Sequence, residues 1–185
     1  MRMLGRARPP QWGQRWGARM HQGLSVFTSN VDGQFQMAGY FADAVHECHG
    51  SIHHLQCLEG CSDAIWPADD FVPDVDESTC RLRNAPPRCP HCGGLARPNI
   101  LMFNDWDWLE ARTAAQHAHQ QRWLQGVRRP VVIELGAGTA IPSVRVTHAV
   151  AASFASTPVS ARCPPAATWA CATPRRKGWR WWSRP

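Results

Sequence analysis

Two short cysteine pairs constrain this chain more than any other feature. Cys57 and Cys61 are separated by three residues and Cys89 and Cys92 by two, with a long intervening stretch between the pairs. A tetrahedral zinc ion takes four thiolates, and two short loops deliver two each. Pro90 and Gly93-Gly94 allow the second pair a tight turn. Disulfides or unlinked thiols are the alternatives. The chain shows no signal-peptide pattern, which points to a reducing, cytoplasmic setting where disulfides are disfavoured. Coordination by four thiolates leaves no open position, so a zinc held by Cys57, Cys61, Cys89 and Cys92 is structural. Cys80 lies between the pairs without a near partner, and Cys48 reads as a small buried residue.

Around the cysteines, strand patterns alternate with helical ones. Leu24 to Thr28 is a short β-rich run. Gln36 to Glu47 predicts a helix, with Met37, Phe41, Ala44 and Val45 at helical spacing. Ile100 to Phe103 predicts a buried strand, and Asp105 or Asp107 caps a helix running to about Gly126. Val131 to Leu135 predicts a second buried strand, closed by Gly136-Ala137-Gly138. The alternation predicts an α/β fold with a mostly parallel sheet, interrupted by the inserted cysteine module. The expected divisions are an atypical segment over 1–22, α/β parts over 23–54 and 96–145, the zinc module over 55–95, and a tail over 146–185.

The net charge of +6 invites a nucleic-acid reading, but the charge is badly placed for one. All 14 acidic residues lie in the middle of the chain, whereas residues 1–20 and 151–185 carry arginines and no acid. The folded-looking part is therefore acidic, which argues against nucleic acid as a partner. Residues 151–185 lack Leu, Ile, Met, Asn and Gln and cluster Trp179, Trp181 and Trp182. That composition predicts a tail that is disordered or read in a shifted frame. No apolar run reaches the roughly 18 residues of a membrane span, so no membrane partner is expected.

In an α/β sheet, ligands bind beyond the carboxyl ends of the strands. Two such places carry polar or small residues: Thr28-Ser29-Asn30-Val31-Asp32 and Gly136-Ala137-Gly138. Both also suit plain turns. His49, in Glu47-Cys48-His49-Gly50-Ser51, is a candidate general base or an ordinary packing histidine.

Taken in order, these segments resemble the sirtuins, NAD-dependent protein-lysine deacetylases. Thr28-Ser29-Asn30-Val31-Asp32-Gly33 with Ala38-Gly39 is similar to the family's T-Q-N-I/V-D-x-L-H-x-x-A-G. Glu47-Cys48-His49-Gly50-Ser51 resembles its E-x-H-G-S/N, and the cysteine pairs resemble its zinc module. Arg97-Pro98-Asn99-Ile100-Leu101-Met102-Phe103 is similar to its R-P-D/N-I/V-V-x-F-G-E, and Gly136-Ala137-Gly138 stands where the family has G-T-S.

The resemblance implies a partial Rossmann-like sheet and a set of roles. Thr28, Ser29, Asn30, Asp32, Gly136, Ala137 and Gly138 would contact NAD. His49 would be the catalytic base, while Ile100, Leu101, Met102 and Phe103 would border the channel for an acylated-lysine protein substrate. Ser29, Gln34 and Phe35 depart from the family's Gln, Leu and His, and Asn104-Asp105 from its Gly-Glu. The family's opening strand with its G-A-G-x-S loop and its last strands have no counterpart here, which implies impaired NAD binding. Two other readings compete. One is a zinc-ribbon module binding nucleic acid or protein without catalysis. The other is a methyltransferase in which Glu134-Leu135-Gly136-Ala137-Gly138 binds S-adenosylmethionine.

Overall fold

A computed structural model describes residues 11–135. Helix α1 (Gln11–Gly17) leads into strand β1 (Val26–Thr28), and one short turn of helix, α2 (Gln34–Met37), follows. Strand β2 (Val45–Glu47) returns beside β1 and pairs with it in parallel, Val26 opposite Val45 and Thr28 opposite Glu47. A parallel neighbour needs a crossover, and residues 29–44 supply it. Helix α3 (Ala111–Gly126) packs against β2. This parallel pair with its helix is the expected Rossmann-like α/β part.

The module between them is antiparallel. Strand β3 (Gly50–Cys57) is flanked by β4 (Ile65–Pro67) and β7 (Ala96–Ile100), and β5 (Val75–Asp76) pairs with β6 (Arg81–Leu82) in a separate hairpin. β3 and β7 run from Gly50 opposite Ile100 to Cys57 opposite Ala96, with an irregularity between Ser51 and Leu55. One long ladder thus joins the catalytic-looking loop at its start to the cysteines at its end.

Four expectations are corrected. The helix expected over 36–47 ends at Met37, because Gly39 adopts φ 88° and closes it. The Gly39 N–H donates to Gln36 O at 2.9 Å and the Tyr40 N–H to Phe35 O at 3.0 Å, a Schellman closure. The following residues make a 3-10 turn, Ala42–Ala44, and then β2. The strand expected over 100–103 lies earlier and stops at Ile100, because Ile100 faces Gly50, where β3 begins and the ladder runs out. Leu101, Met102 and Phe103 are exposed, Phe103 by 89%. Val131 to Leu135 is not a strand, since among the described residues no strand pairs with it, and Val131, Ile133 and Leu135 are exposed. Neither Asp105 nor Asp107 caps α3. The Asp105 carboxylate is bound by Arg97, and Glu110 holds the cap position without a side-chain bond.

The buried centre is unusually polar. Val45, Leu55 and Leu124 supply apolar bulk, but Gln56, Glu47 and Asn99 are among the largest fully buried side chains. Each buried polar group needs partners to offset its lost hydration. Gln56 Nε2 donates to Asp107 O at 2.8 Å, and its Oε1 accepts from Asn99 Nδ2 at 2.9 Å and Leu109 N at 3.1 Å. That network pins the loop before α3 onto the β3–β7 ladder.

Candidate catalytic loop and metal centre

The four paired cysteines come together. Their sulfur atoms all lie within 4.8 Å of one another, with Cys57 and Cys89 buried and Cys61 and Cys92 exposed. Cys57 ends β3, and Cys61 follows Gly60, whose φ of 61° turns the chain back. At the second pair, Gly93 takes φ 72°, its N–H donates to Cys89 O at 2.9 Å, and Cys89 N–H donates to Gly94 O at 2.8 Å. Zinc–sulfur bonds of about 2.3 Å in a tetrahedron put the sulfurs roughly 3.8 Å apart. Cys57 and Cys92 are 3.7 Å apart and Cys61 and Cys89 3.5 Å apart, so the donor set fits zinc. Backbone N–H groups, first that of Cys61, lower the Cys57 thiol to about 7, while its sulfur neighbours, first Cys57, push Cys61 up to about 12. A divalent cation bound by all four sulfurs favours their thiolate forms. Cys80 is exposed, with its sulfur 3.8 Å from Glu77 O, outside the cluster. Cys48 is half-buried, and burial pushes its thiol up to about 11.

The second centre forms where three distant segments meet. Thr28 ends β1 buried, and its Oγ1 accepts the Asn30 N–H at 3.1 Å, which opens the turn. Asp32 Oδ1 accepts the Gln34 N–H at 3.4 Å, and Gly33 supplies the left-handed residue at φ 65°. The side chains of Ser29 and Asn30 are exposed and make no hydrogen bond among the described residues. Their amide and hydroxyl groups, with the Asp32 carboxylate, are the donors and acceptors that ribose hydroxyls need. The residues present therefore suit a nucleotide cofactor at this strand end.

His49 sits at the apex of the short reversal between β2 and β3. The Cys48 N–H donates to Thr28 O at 3.0 Å, and the Leu101 N–H donates to His49 O at 3.0 Å. These two bonds tie His49 to the polar turn on one side and the end of β7 on the other. His49 is half-buried, and its imidazole makes no hydrogen bond among the described residues. On the β7 side, Arg97 grips Asp105 with bonds of 2.7 and 2.9 Å, and Asp105 Oδ2 also accepts the Met102 N–H at 3.3 Å. This fixes the loop carrying Leu101, Met102 and Phe103 beside the apex. Gly136, Ala137 and Gly138 lie outside the described residues, as does the tail over 146–185.

Sequence reading missed the polar groups behind the apex. Glu47 is 1% exposed, and Arg112 Nη2 bonds its Oε2 at 2.5 Å. Gln116 Nε2 reaches the same oxygen at 3.3 Å. His46 Nδ1 pairs with Gln120 Oε1 at 2.9 Å, and Gln120 Nε2 donates to Ser25 Oγ at 3.2 Å; burial lowers the affinity of His46 for a proton. Arg112, Gln116 and Gln120 recur every four residues on α3, and that spacing was the available signal.

The sequence model of the Sir2 family matches residues 15–124. The chain belongs to the Sir2 family. A Fusarium oxysporum protein named a probable bifunctional ADP-ribose hydrolase/ADP-ribosyltransferase is 31% identical over 139 residues, covering 70% of this chain and 23% of that protein. A Mycobacterium tuberculosis NAD-dependent protein deacylase is 38% identical over 85 residues, covering 46% of this chain and 32% of that one. A solved Sir2 homolog–NAD complex is similar at a TM-score of 0.47 and 20% identity, over 76% of this chain and 48% of that one. The chain thus spans about a quarter to a third of the length of these two curated relatives. The Sir2 match encloses β1, β2, the whole cysteine module and most of α3, and so contains every described candidate residue.

Proposed function

We propose that this Sir2 chain acts in NAD-dependent removal of acyl groups from protein lysines, with His49 as general base. The observation that carries the reading is the position of the Cys48-His49 turn, in which the Cys48 N–H donates to Thr28 O at the end of β1 and His49 O accepts the Leu101 N–H just past β7. NAD, when bound, supplies an activated ADP-ribosyl group that accepts the acyl group as nicotinamide leaves. Asn30 and Asp32 hold and orient the ribose, with Thr28 and Ser29 beside them. His49 takes a proton from a ribose hydroxyl onto a ring nitrogen, which requires a neutral imidazole. Ile100, Leu101, Met102 and Phe103 border the acylated lysine of a protein substrate. Zinc braces the module that holds β3 and takes no chemical part. Four thiolates on one zinc suit a reducing compartment, so we place the protein in the cytoplasm.

The test is release of nicotinamide from NAD in the presence of an acetyl-lysine peptide. We expect peptide-dependent release, reduced about 100-fold or more by His49→Ala. Release that is independent of peptide, or undiminished in the variant, overturns the reading. The name of the Fusarium relative supports a second reading, ADP-ribosyl transfer. Labelled ADP-ribose retained on an acceptor protein, with no deacylated peptide formed, would favour it.

A further inference from the structure

We infer that Glu47 is a positioning residue for His49, held by a polar clamp that α3 applies to it; the assignment rests on the function proposed above. Glu47 ends β2, and only Cys48 and His49 separate it from Gly50, the first residue of β3. Three α3 residues bind it at both main-chain and side-chain atoms. Gln116 Oε1 accepts the Glu47 N–H at 3.0 Å, and Thr113 Oγ1 donates to Glu47 O at 3.2 Å. Arg112 and Gln116 both donate to Oε2, at 2.5 and 3.3 Å. The reversal carrying His49 is thereby anchored on three sides: by α3 at Glu47, by β1 at Cys48, and by the end of β7 at His49 itself.

The clamp is poorly made as a device for stability. Glu47 Oε1 and Arg112 Nη1 are both buried without a hydrogen-bond partner. A half-satisfied buried ion pair holds a fold together less well than apolar packing of the same volume. It does fix geometry. Bonds to the N–H, the C=O and the carboxylate of one residue determine its place along the helix and its rotation about the strand. That is the constraint a general base two residues away requires, because a misplacement near 1 Å costs about 100-fold in rate.

The experiment compares Glu47→Gln with Gln120→Met, which loosens the same helix–strand contact at His46. In the zinc-loaded full chain, the His49 ring signals in a histidine-labelled NMR spectrum are followed. The rate of His49 modification by diethyl pyrocarbonate is measured alongside, together with kcat and KM for the acetyl-lysine peptide. Glu47→Gln is expected to shift the His49 signals, change the modification rate and lower kcat by about tenfold or more with little change in KM. Gln120→Met lowers the melting temperature but leaves the His49 signals in place. If Glu47→Gln leaves both His49 readouts at their wild-type values, the positioning role is wrong whatever the activity. If the wild-type chain shows no peptide-dependent turnover, the proposed function fails, and the NMR and modification readouts still decide the clamp.

Discussion

Gly50→Ala tests the geometry around the apex most directly. Gly50 adopts φ 78°, which costs an L-residue with a side chain about 1–2 kcal/mol. A Cβ there would also collide with the carbonyl oxygen of Asn99 and meet the Asn99 carbonyl carbon at 3.1 Å and Ile100 Cα at 3.2 Å. All three are backbone atoms of the partner strand, so no side chain can swing away. Relief requires β3 and β7 to part where Asn99 is fully buried and bonds Gln56 Oε1 and Leu109 O, each at 2.9 Å. Losing one or two buried hydrogen bonds adds about 1–3 kcal/mol each, giving a total of about 2–8 kcal/mol. Gly23→Ala is the control: Gly23 has φ 67°, but nothing lies within 4 Å of an added Cβ. It should lose only the conformational part, about 1–2 kcal/mol. Urea unfolding followed by tryptophan fluorescence, with zinc present, gives both values. If Gly50→Ala falls within about 1 kcal/mol of Gly23→Ala, the collision with Asn99 is not felt and the close approach at the apex is wrong.

Serine at any one of Cys57, Cys61, Cys89 or Cys92 should leave the purified protein with less than one zinc per chain by elemental analysis, whereas Cys48→Ser and Cys80→Ser should keep the metal; full loading in a cluster variant would remove that residue from the site. Hydrogen bonds from Arg97 hold the Asp105 carboxyl below the usual carboxylate range. Because the folded value lies below the unfolded one, the pair's contribution is present above about pH 3.9 and is lost as the pH falls through the folded value. Asp105→Asn should therefore melt lower than wild type at neutral pH and converge with it in acid; parallel melting curves across that range would contradict the assignment.

The cysteine cluster was legible because ligand spacing is a local property, and a loop of two or three residues leaves two sulfurs few places to go. Helix α3 was legible too, ending at Gly126 as expected. The failures share a cause. A run such as Val131 to Leu135 is only a potential strand, and it becomes one when a neighbour offers a ladder. Among the described residues β1 pairs with β2 alone, so the run stays irregular. The stretch over 36–47 has apolar residues at helical spacing, yet Gly39 supplies a left-handed closure that outweighs them. Its Ala38-Gly39 pair was visible within the family-like motif, but its effect on helix length was not. Exposure of Leu101 to Phe103 could not be read from their apolar character, since it follows from where β3 begins.

Helix α3 shows why the deepest part of the site escaped pattern reading. A search for apolar residues at helical spacing finds little on this helix, and of its buried residues Thr113 and Gln120 are polar and Leu124 is not. The helix is attached by Arg112, Thr113, Gln116 and Gln120, which bond Glu47 and His46 on β2. A leucine seam would supply more burial but would tolerate sliding, because dispersion contacts have little directionality. Hydrogen bonds fail beyond a few tenths of an ångström or a few tens of degrees, so a polar seam admits one register. Next to a short reversal that must present one imidazole between a polar turn and a strand end, the loss of apolar burial is offset by that single register. Polar residues repeating every four positions on a helix beside a short buried strand are then a signature of a positioned site rather than of a solvated face.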